Sequence, residues 1–360
     1  MSCSLHHCMA FGLDGIETDL KAGRDTSAEF DAPLGDALQI VTPRVSDPEK
    51  WPLSPTGAYF ERLDALCAEW GDRRKVRFYG HYGQVFDASA LQALPNIRSL
   101  SIDSLERAIN LEAIADLEHL ERLHLGVFEL EDKDILGKLP VKQLHGLMLS
   151  QTNTKALDLA PLAEAFNLAT LYLDGHHKNI AALAHLDRLE TLTFNPKRGL
   201  DLAFINGMQN LRALKFNLGG TDTIEAIELA ELQDMAFTRT RDLARLGDMQ
   251  RFPKLRRLLM QDQPHVESLA FGQANADLEH LWFDNCKGPS ELRGLADCPQ
   301  LKRLRWLFTE RDPASLALPE SVTHVYMLSG RSKDEATEKA AIEALGFTAA
   351  PHEEALFSYK

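Results

Sequence analysis

One short phrase, apolar-x-x-apolar-x-apolar, recurs from Ile97 to Met327 and constrains what most of this chain can fold into. It reads Ile97/Leu100/Ile102, Leu120/Leu123/Leu125, Leu144/Leu147/Leu149, Leu168/Leu171/Leu173, Leu189/Leu192/Phe194 and Leu211/Leu214/Phe216. It continues as Leu232/Met235/Phe237, Leu255/Leu258/Met260, Leu278/Leu281/Phe283, Leu301/Leu304/Trp306 and Val322/Val325/Met327. First positions are separated by 23, 24, 24, 21, 22, 21, 23, 23, 23 and 21 residues. A period of that size means stacked repeats, each too small to bury its own apolar face.

The spacing has a physical reading. Alternate side chains of an extended segment face opposite ways, so Leu-x-Leu buries both leucines and turns the residue between them outward. Stacked neighbours then share a continuous core and pair their strands in parallel along one side. The other half of each unit must return the chain, and it carries spaced apolar residues such as Ile180, Leu183 and Leu186. A full three-turn helix hardly fits. Short helices or 3₁₀ turns are expected there, longer where the step is 23 or 24 residues.

The eleven phrases, with Pro or Asn just before many of them (Pro95-Asn96, Pro140, Asn167, Asn210, Pro253, Pro299), resemble the leucine-rich repeat family. Within it the chain is most similar to the bacterial internalin-like class with repeats of about 22 residues. The resemblance covers about two thirds of the chain. It implies an α/β solenoid: a curved horseshoe with one parallel β-sheet on the concave face and short helices or 3₁₀ turns on the convex face. It also implies a binding role without naming the partner, because one scaffold serves unrelated ligands. Family members usually place Asn, Cys or Thr at the ninth position of the phrase, where it satisfies the adjacent turn. Here only Thr152, Thr240, Cys286 and Thr309 conform, while His176 and Gln263 are among the departures. Turns satisfied by water or other local contacts, and an irregular solenoid, are therefore expected.

Residues 97–330 hold the repeats, and the flanking segments read as closures. Residues 51–96 hold a helical cap (Trp51 to Trp70, with Tyr59, Phe60, Leu63, Leu66 and Cys67 at helical spacing) and a degenerate first strand at Val76 and Phe78. Residues 331–360 read as a helical cap over Asp334 to Leu345, ended at Gly346, with a short tail. Residues 1–50 show little period and read as a partly irregular extension.

Composition narrows the function classes. A formal net charge of −14, from 53 acidic and 39 basic residues, sets a long-range field that repels nucleic acid and anionic membrane. No stretch approaches the roughly 18 uninterrupted apolar residues of a membrane span, and Met1 to Leu20 lacks a secretory pattern. Five cysteines without framework spacing favour a reducing compartment. The expectation is a cytoplasmic bacterial protein, monomeric, with export by a signal-peptide-independent system as the alternative.

Function in such an array belongs on the outward positions of the strands. Through the middle of the chain these are small and polar, for example Ser99 and Ser101 or Thr191 and Thr193. The C-terminal third differs: Arg257, Leu259, His280, Trp282, Arg303, Arg305, His324 and Tyr326 should lie on adjacent strands as one patch. Trp, Tyr and Arg bury much area and offer directional hydrogen bonds, which is the composition of an interaction hot spot. The competing reading is coverage by the chain's own tail, or arginines paired with Asp284 and Glu310.

Catalytic constellations are sparse. Cys3, His6, His7 and Cys8 are metal-ligand types without a second paired set. His176 and His177 read as an exposed polar loop, Cys286 and Cys298 as buried thiols, and Gly219-Gly220 as a lone turn. No cofactor is expected. The sequence therefore reads as a non-enzymatic scaffold holding a protein ligand, of inhibitor or immunity type, with a host-directed effector or adaptor as the alternative. A zinc-containing enzyme is the remaining rival.

Overall fold

The computed structural model describes residues 37–41, 58–72, 75–79, 85–150, 153, 156–286, 291–309, 311–331 and 333–349. The expectations for Cys3, His6, His7, Cys8, Trp51, Thr152 and Glu310, and for the side chains of Tyr59 and Phe60, lie outside the described residues. The chain divides into two compact units, Met1–Ala182 and Leu183–Lys360.

In the first unit the strands are β1 (Ala37–Val41), β2 (Lys75–Tyr79), β3 (Val85–Asp87), β4 (Ser99–Leu105), β5 (Arg107–Ile109), β6 (Arg122–Val127), β7 (Gly146–Leu149) and β8 (Thr170–Leu173). A parallel sheet runs β1-β2-β4-β6-β7-β8, and β3 pairs with β5 apart from it. Helix α1 (Ala58–Trp70) buries Leu63, Leu66, Cys67 and Trp70. Asp64 on this helix accepts from both the backbone N and the side-chain amide of Asn96, at 2.9 and 2.7 Å, just ahead of the first phrase. Ala37–Val41, which no periodicity singles out, extends the sheet by one strand through Ala37↔Lys75 to Val41↔Tyr79.

The second unit contains β9 (Thr191–Phe194), β10 (Ala213–Asn217), β11 (Asp234–Thr238), β12 (Arg257–Gln261), β13 (Ser268–Ala270), β14 (His280–Asp284), β15 (Glu291–Arg293), β16 (Arg303–Leu307) and β17 (His324–Leu328). Its parallel sheet runs β9-β10-β11-β12-β14-β16-β17, while β13 and β15 pair with each other. Helix α2 (Glu335–Ala344) buries Ile342 and is followed by Gly346 at φ +88°. Thr348 then bridges His324, so the chain closes the free edge of β17.

Each phrase supplies one strand, and its apolar positions form the core. Leu281 is 1% exposed, and the neighbouring Leu258 and Leu304 are equally buried. Large rings fill the third phrase position in five of the seven repeats of the second unit, and Met260 and Met327 fill it in the others. Phe216 lies 5.2 Å from Phe194 and 5.0 Å from Phe237, and Phe283 lies 5.1 Å from Trp306. Such stacked apolar columns make the repeat stable, since each unit buries its face only against the next.

The returns are 3₁₀ segments, as the spacing predicts, but they do not lengthen with the step. The 24-residue steps from Leu120 and Leu144 carry 3₁₀ segments of three and five residues, whereas the 21-residue step from Leu168 carries six. In the second unit two of the longer steps accommodate the short strands β13 and β15 instead. A return has to span a width set by the stacked core, so its extra residues go into extended chain.

The turn after the strand is more regular than the ninth position suggests. Arg239, Asp262, Asn285 and Phe308, one per repeat, all adopt left-handed backbone with φ between 51° and 58°. The next residues, Thr240, Gln263, Cys286 and Thr309, are buried. Gln263 Nε2 donates to Gln261 O at 2.8 Å, and Cys286 Sγ donates to Met260 O at 3.3 Å. His176 corrects the sequence reading outright. It is 2% exposed, its Nδ1 accepts from the Leu157 N–H at 3.1 Å, and its Nε2 lies 3.2 Å from Ser150 O. The imidazole thus does what a ladder Asn would do, because it carries one acceptor and one donor.

Candidate functional site

The eight residues singled out by strand parity come together in the second unit. In register, Arg257, His280, Arg303 and His324 form one row across β12, β14, β16 and β17, and Leu259, Trp282, Arg305 and Tyr326 form the next. Both rows face away from the core. Leu281 and Leu304 are buried on one side of their strands, while Trp282 and Arg305 keep partial exposure on the other. Strand alternation alone produces this division.

The two rows are chemically unequal. Arg257 is gripped by Asp234 of β11, through both Nε and Nη2, so it is a neutralised cation. The two residues hold the same phrase position in consecutive repeats. Leu259 retains only 9% exposure and serves as floor. His280 Nε2 lies 3.8 Å from the Glu279 carboxylate, and His324 Nδ1 lies 2.8 Å from Thr323 Oγ1. His280 thus lies between Arg257 and Arg303, and His324 ends the row on β17.

The second row holds the centre. Arg305 Cζ sits 4.3 Å from the Trp282 ring centroid and 5.8 Å from that of Tyr326. Lys339 of α2, which sequence reasoning missed, brings its Nζ to 5.8 Å from the Tyr326 ring. Only its helical register, unreadable until α2 is docked, could have placed it there. Arg305 makes no ion pair among the described residues. Asp284, on β14, feels its charge: the Asp284 carboxyl pKa is raised by burial and by Asp262 against the pull of Arg305. A guanidinium stacked on one ring and edged by another keeps its N–H donors available, because stacking does not use up hydrogen bonds.

A second polar cluster occupies the outward face of the first unit, denser than its residue types suggest. Ser101 is 1% exposed although its neighbours Leu100 and Ile102 are the ones facing the core. Arg77 reaches Asp103 through Nε and Nη2 at 2.8 and 2.5 Å, Ser104 donates to the same carboxylate, and Ser101 Oγ donates to it at 2.5 Å. Having given its proton to Asp103, Ser101 must accept from His124 Nδ1, 2.9 Å away, so Ser150 donates to His124 Nε2 at 2.8 Å. Gly126 sits close against the cluster: a Cβ there would lie 3.1 Å from the Ser150 Cβ and 3.2 Å from the Asp103 Cβ, tighter than ordinary packing.

Burial pushes the His124 pKa down to about 4, against the Asp103 charge and helped by Lys75 and Arg77. Burial also acts to raise the Asp103 pKa, but hydrogen bonds from Arg77 and Ser101, with the charges of His124 and Arg77, outweigh it and leave that group below its usual range. The cluster is a fully connected relay from Ser150 to Asp103. An imidazole this hard to protonate is a poor general base at neutral pH.

Among the described residues no group of three His, Cys, Asp or Glu side chains is gathered to hold a metal ion. Cys67, Cys286 and Cys298 are free and buried, each with its thiol pKa raised by burial. No helix among the described residues is long and apolar enough to cross a membrane.

No family model and no curated protein matches the sequence. Solved structures do. An internalin of Listeria monocytogenes superposes with a TM-score of 0.51 at 20% identity, over 70% of this chain and 73% of that one. A second internalin of that organism, internalin C2, matches with a TM-score of 0.33 at 17% identity, over 66% of this chain and 83% of that one. A leucine-rich repeat protein of Leptospira interrogans matches with a TM-score of 0.42 at 14% identity, over 78% and 89%. At these identities it is the fold that is shared, and the first superposition carries that conclusion together with the parallel strands and 3₁₀ returns.

Proposed function

We propose that this leucine-rich repeat solenoid is a non-enzymatic scaffold that binds a protein ligand on the outward sheet face of its second unit. The observation that carries the reading is the Trp282–Arg305–Tyr326 stack, two large rings and a cation in register on adjacent strands. Such anchors supply most of the free energy in protein interfaces, and here they are presented by strands whose opposite side is core. Rigid presentation lowers the ordering cost of association, because little rotamer freedom is left to lose.

The rival enzymatic reading has less support. The relay in the first unit has triad-like residue types, but His124 disfavours the protonated form that general-base action would require.

The test is affinity capture from the source organism's lysate with the full chain and with a Trp282→Ala/Arg305→Ala variant, followed by mass spectrometry. Loss of a specific protein from the variant, with circular dichroism unchanged, supports the reading. An identical captured set overturns it.

A further inference from the structure

The charge of the ligand can be read from how the arginines of the outward faces are used. Arg77 is bound by Asp103 and Arg257 by Asp234, each through two nitrogens. Elsewhere on the surface Arg98, Arg107, Arg239, Arg245 and Arg256 all meet a carboxylate. In a chain with fourteen more acids than bases, acidic neighbours are plentiful. Arg305 is nevertheless held by aromatic faces and not by an acid, and its Nε is buried without a hydrogen-bond acceptor. Asp284, close enough to feel it, makes no ion pair with it among the described residues. Arg303 stands beside it in the same strand, and Lys339 of α2, itself paired with Glu335 at 2.6 Å, approaches the Tyr326 ring, so the charge the stack presents is centred on Arg305.

Building on the binding face proposed above, we infer that the partner is an acidic protein segment that sets a carboxylate against the Arg305 guanidinium and an apolar side chain beside Trp282. Guanidinium and carboxylate match in geometry, with two parallel N–H donors meeting two oxygens. The aromatic flanks exclude water from that pair and so strengthen it. A nucleic acid is the less suitable anion. Tight binding to a phosphate chain draws on roughly six to ten cationic contacts, whereas the stack centres on Arg305, with Lys339 already paired to Glu335, in a protein of net charge −14. A single carboxylate needs one good site, and at physiological salt the distant acids are screened beyond about 8 Å.

The experiment is selection of a displayed random dodecapeptide library on the full chain. The best binders are then resynthesised with each Asp or Glu changed to Asn or Gln, and titrated against the parent protein, Arg305→Gln and Trp282→Ala. The expected result is enrichment of Asp or Glu next to an apolar residue. The critical amide substitution should weaken binding at least tenfold, Arg305→Gln should produce the same loss, and the two changes together should add nothing further. Neutral or basic binders that still depend on Trp282 overturn the acidic partner and leave the face standing. Binders indifferent to both Trp282→Ala and Arg305→Gln, or no binder at all, overturn the face as well. Arg305-dependent binding of a fluorescein-labelled dodecathymidylate, tighter than that of any selected peptide, overturns the acidic segment in favour of nucleic acid.

Discussion

Leu281 and Trp282 are adjacent in β14 and belong to different worlds: the leucine is sealed in the core while the indole lies under the Arg305 guanidinium on the outward face. Truncating each should therefore separate stability from binding. Leu281→Ala removes a side chain surrounded by core and should lower the unfolding free energy by about 2–5 kcal/mol. Trp282→Ala should lower it by only about 0.5–1 kcal/mol, the range of lost surface packing and one cation–π contact. Denaturant titration of both variants checks the contrast, and comparable losses would contradict the assigned faces.

Asp234→Asn tests how far the neighbouring carboxylate silences Arg257. The pair is partly buried and doubly bonded, so its loss should reduce stability by about 1 kcal/mol. It should also release a cation at the edge of the patch. An acidic peptide that binds the Arg305 site should then bind up to about fivefold more tightly, the ~1 kcal/mol that a close charge adds in high dielectric. Isothermal titration at low and high salt reads this directly, and a gain that persists unchanged at 1 M salt would exclude the electrostatic origin.

These contrasts show what the sequence made legible. Strand parity follows from Leu-x-Leu spacing, so the inward place of Leu281 and the outward place of Trp282 could be read without coordinates. The Asp234–Arg257 pair was legible in principle, since the two occupy equivalent positions 23 residues apart, but nothing in one repeat says which outward charges will meet. Lys339 was not legible, because its approach to Tyr326 depends on how α2 docks. The relay in the first unit was hidden by a different cause: its members come from four segments that meet only once the strands are stacked, and the tight packing of Gly126 against Ser150 and Asp103 is advertised in sequence only as an absence.

His176 was misread because the ninth position of the phrase is judged by residue type, whereas the turn requires only one acceptor and one donor at the right depth. His176→Ala should leave the buried Leu157 N–H without an acceptor and destabilise the fold by about 1–3 kcal/mol. His176→Asn should recover part of that loss. Equal stability of the alanine variant and the parent in denaturant titration would show that the turn is satisfied without the ring.

The acid limit of stability should be set in part by the relay around Asp103. His124 is neutral in the folded protein with a pKa near 4, against a usual value of 6.5, so between those limits the unfolded chain binds a proton that the folded chain refuses. Stability therefore falls as pH drops through that window, by at most about 3 kcal/mol from this group. Asp103 acts in the same direction. Its folded pKa lies below the usual carboxylate value, so the stability it contributes is present above that value and is lost as pH falls towards the folded one. His124→Gln, which cannot be protonated, should flatten the dependence between pH 6.5 and 4 while leaving the steeper loss below pH 4 that Asp103 governs. Chemical denaturation at half-unit pH steps provides the comparison. A parent profile that is already flat between pH 6.5 and 4 would mean that the imidazole takes up its proton without disturbing Ser101 or Ser150.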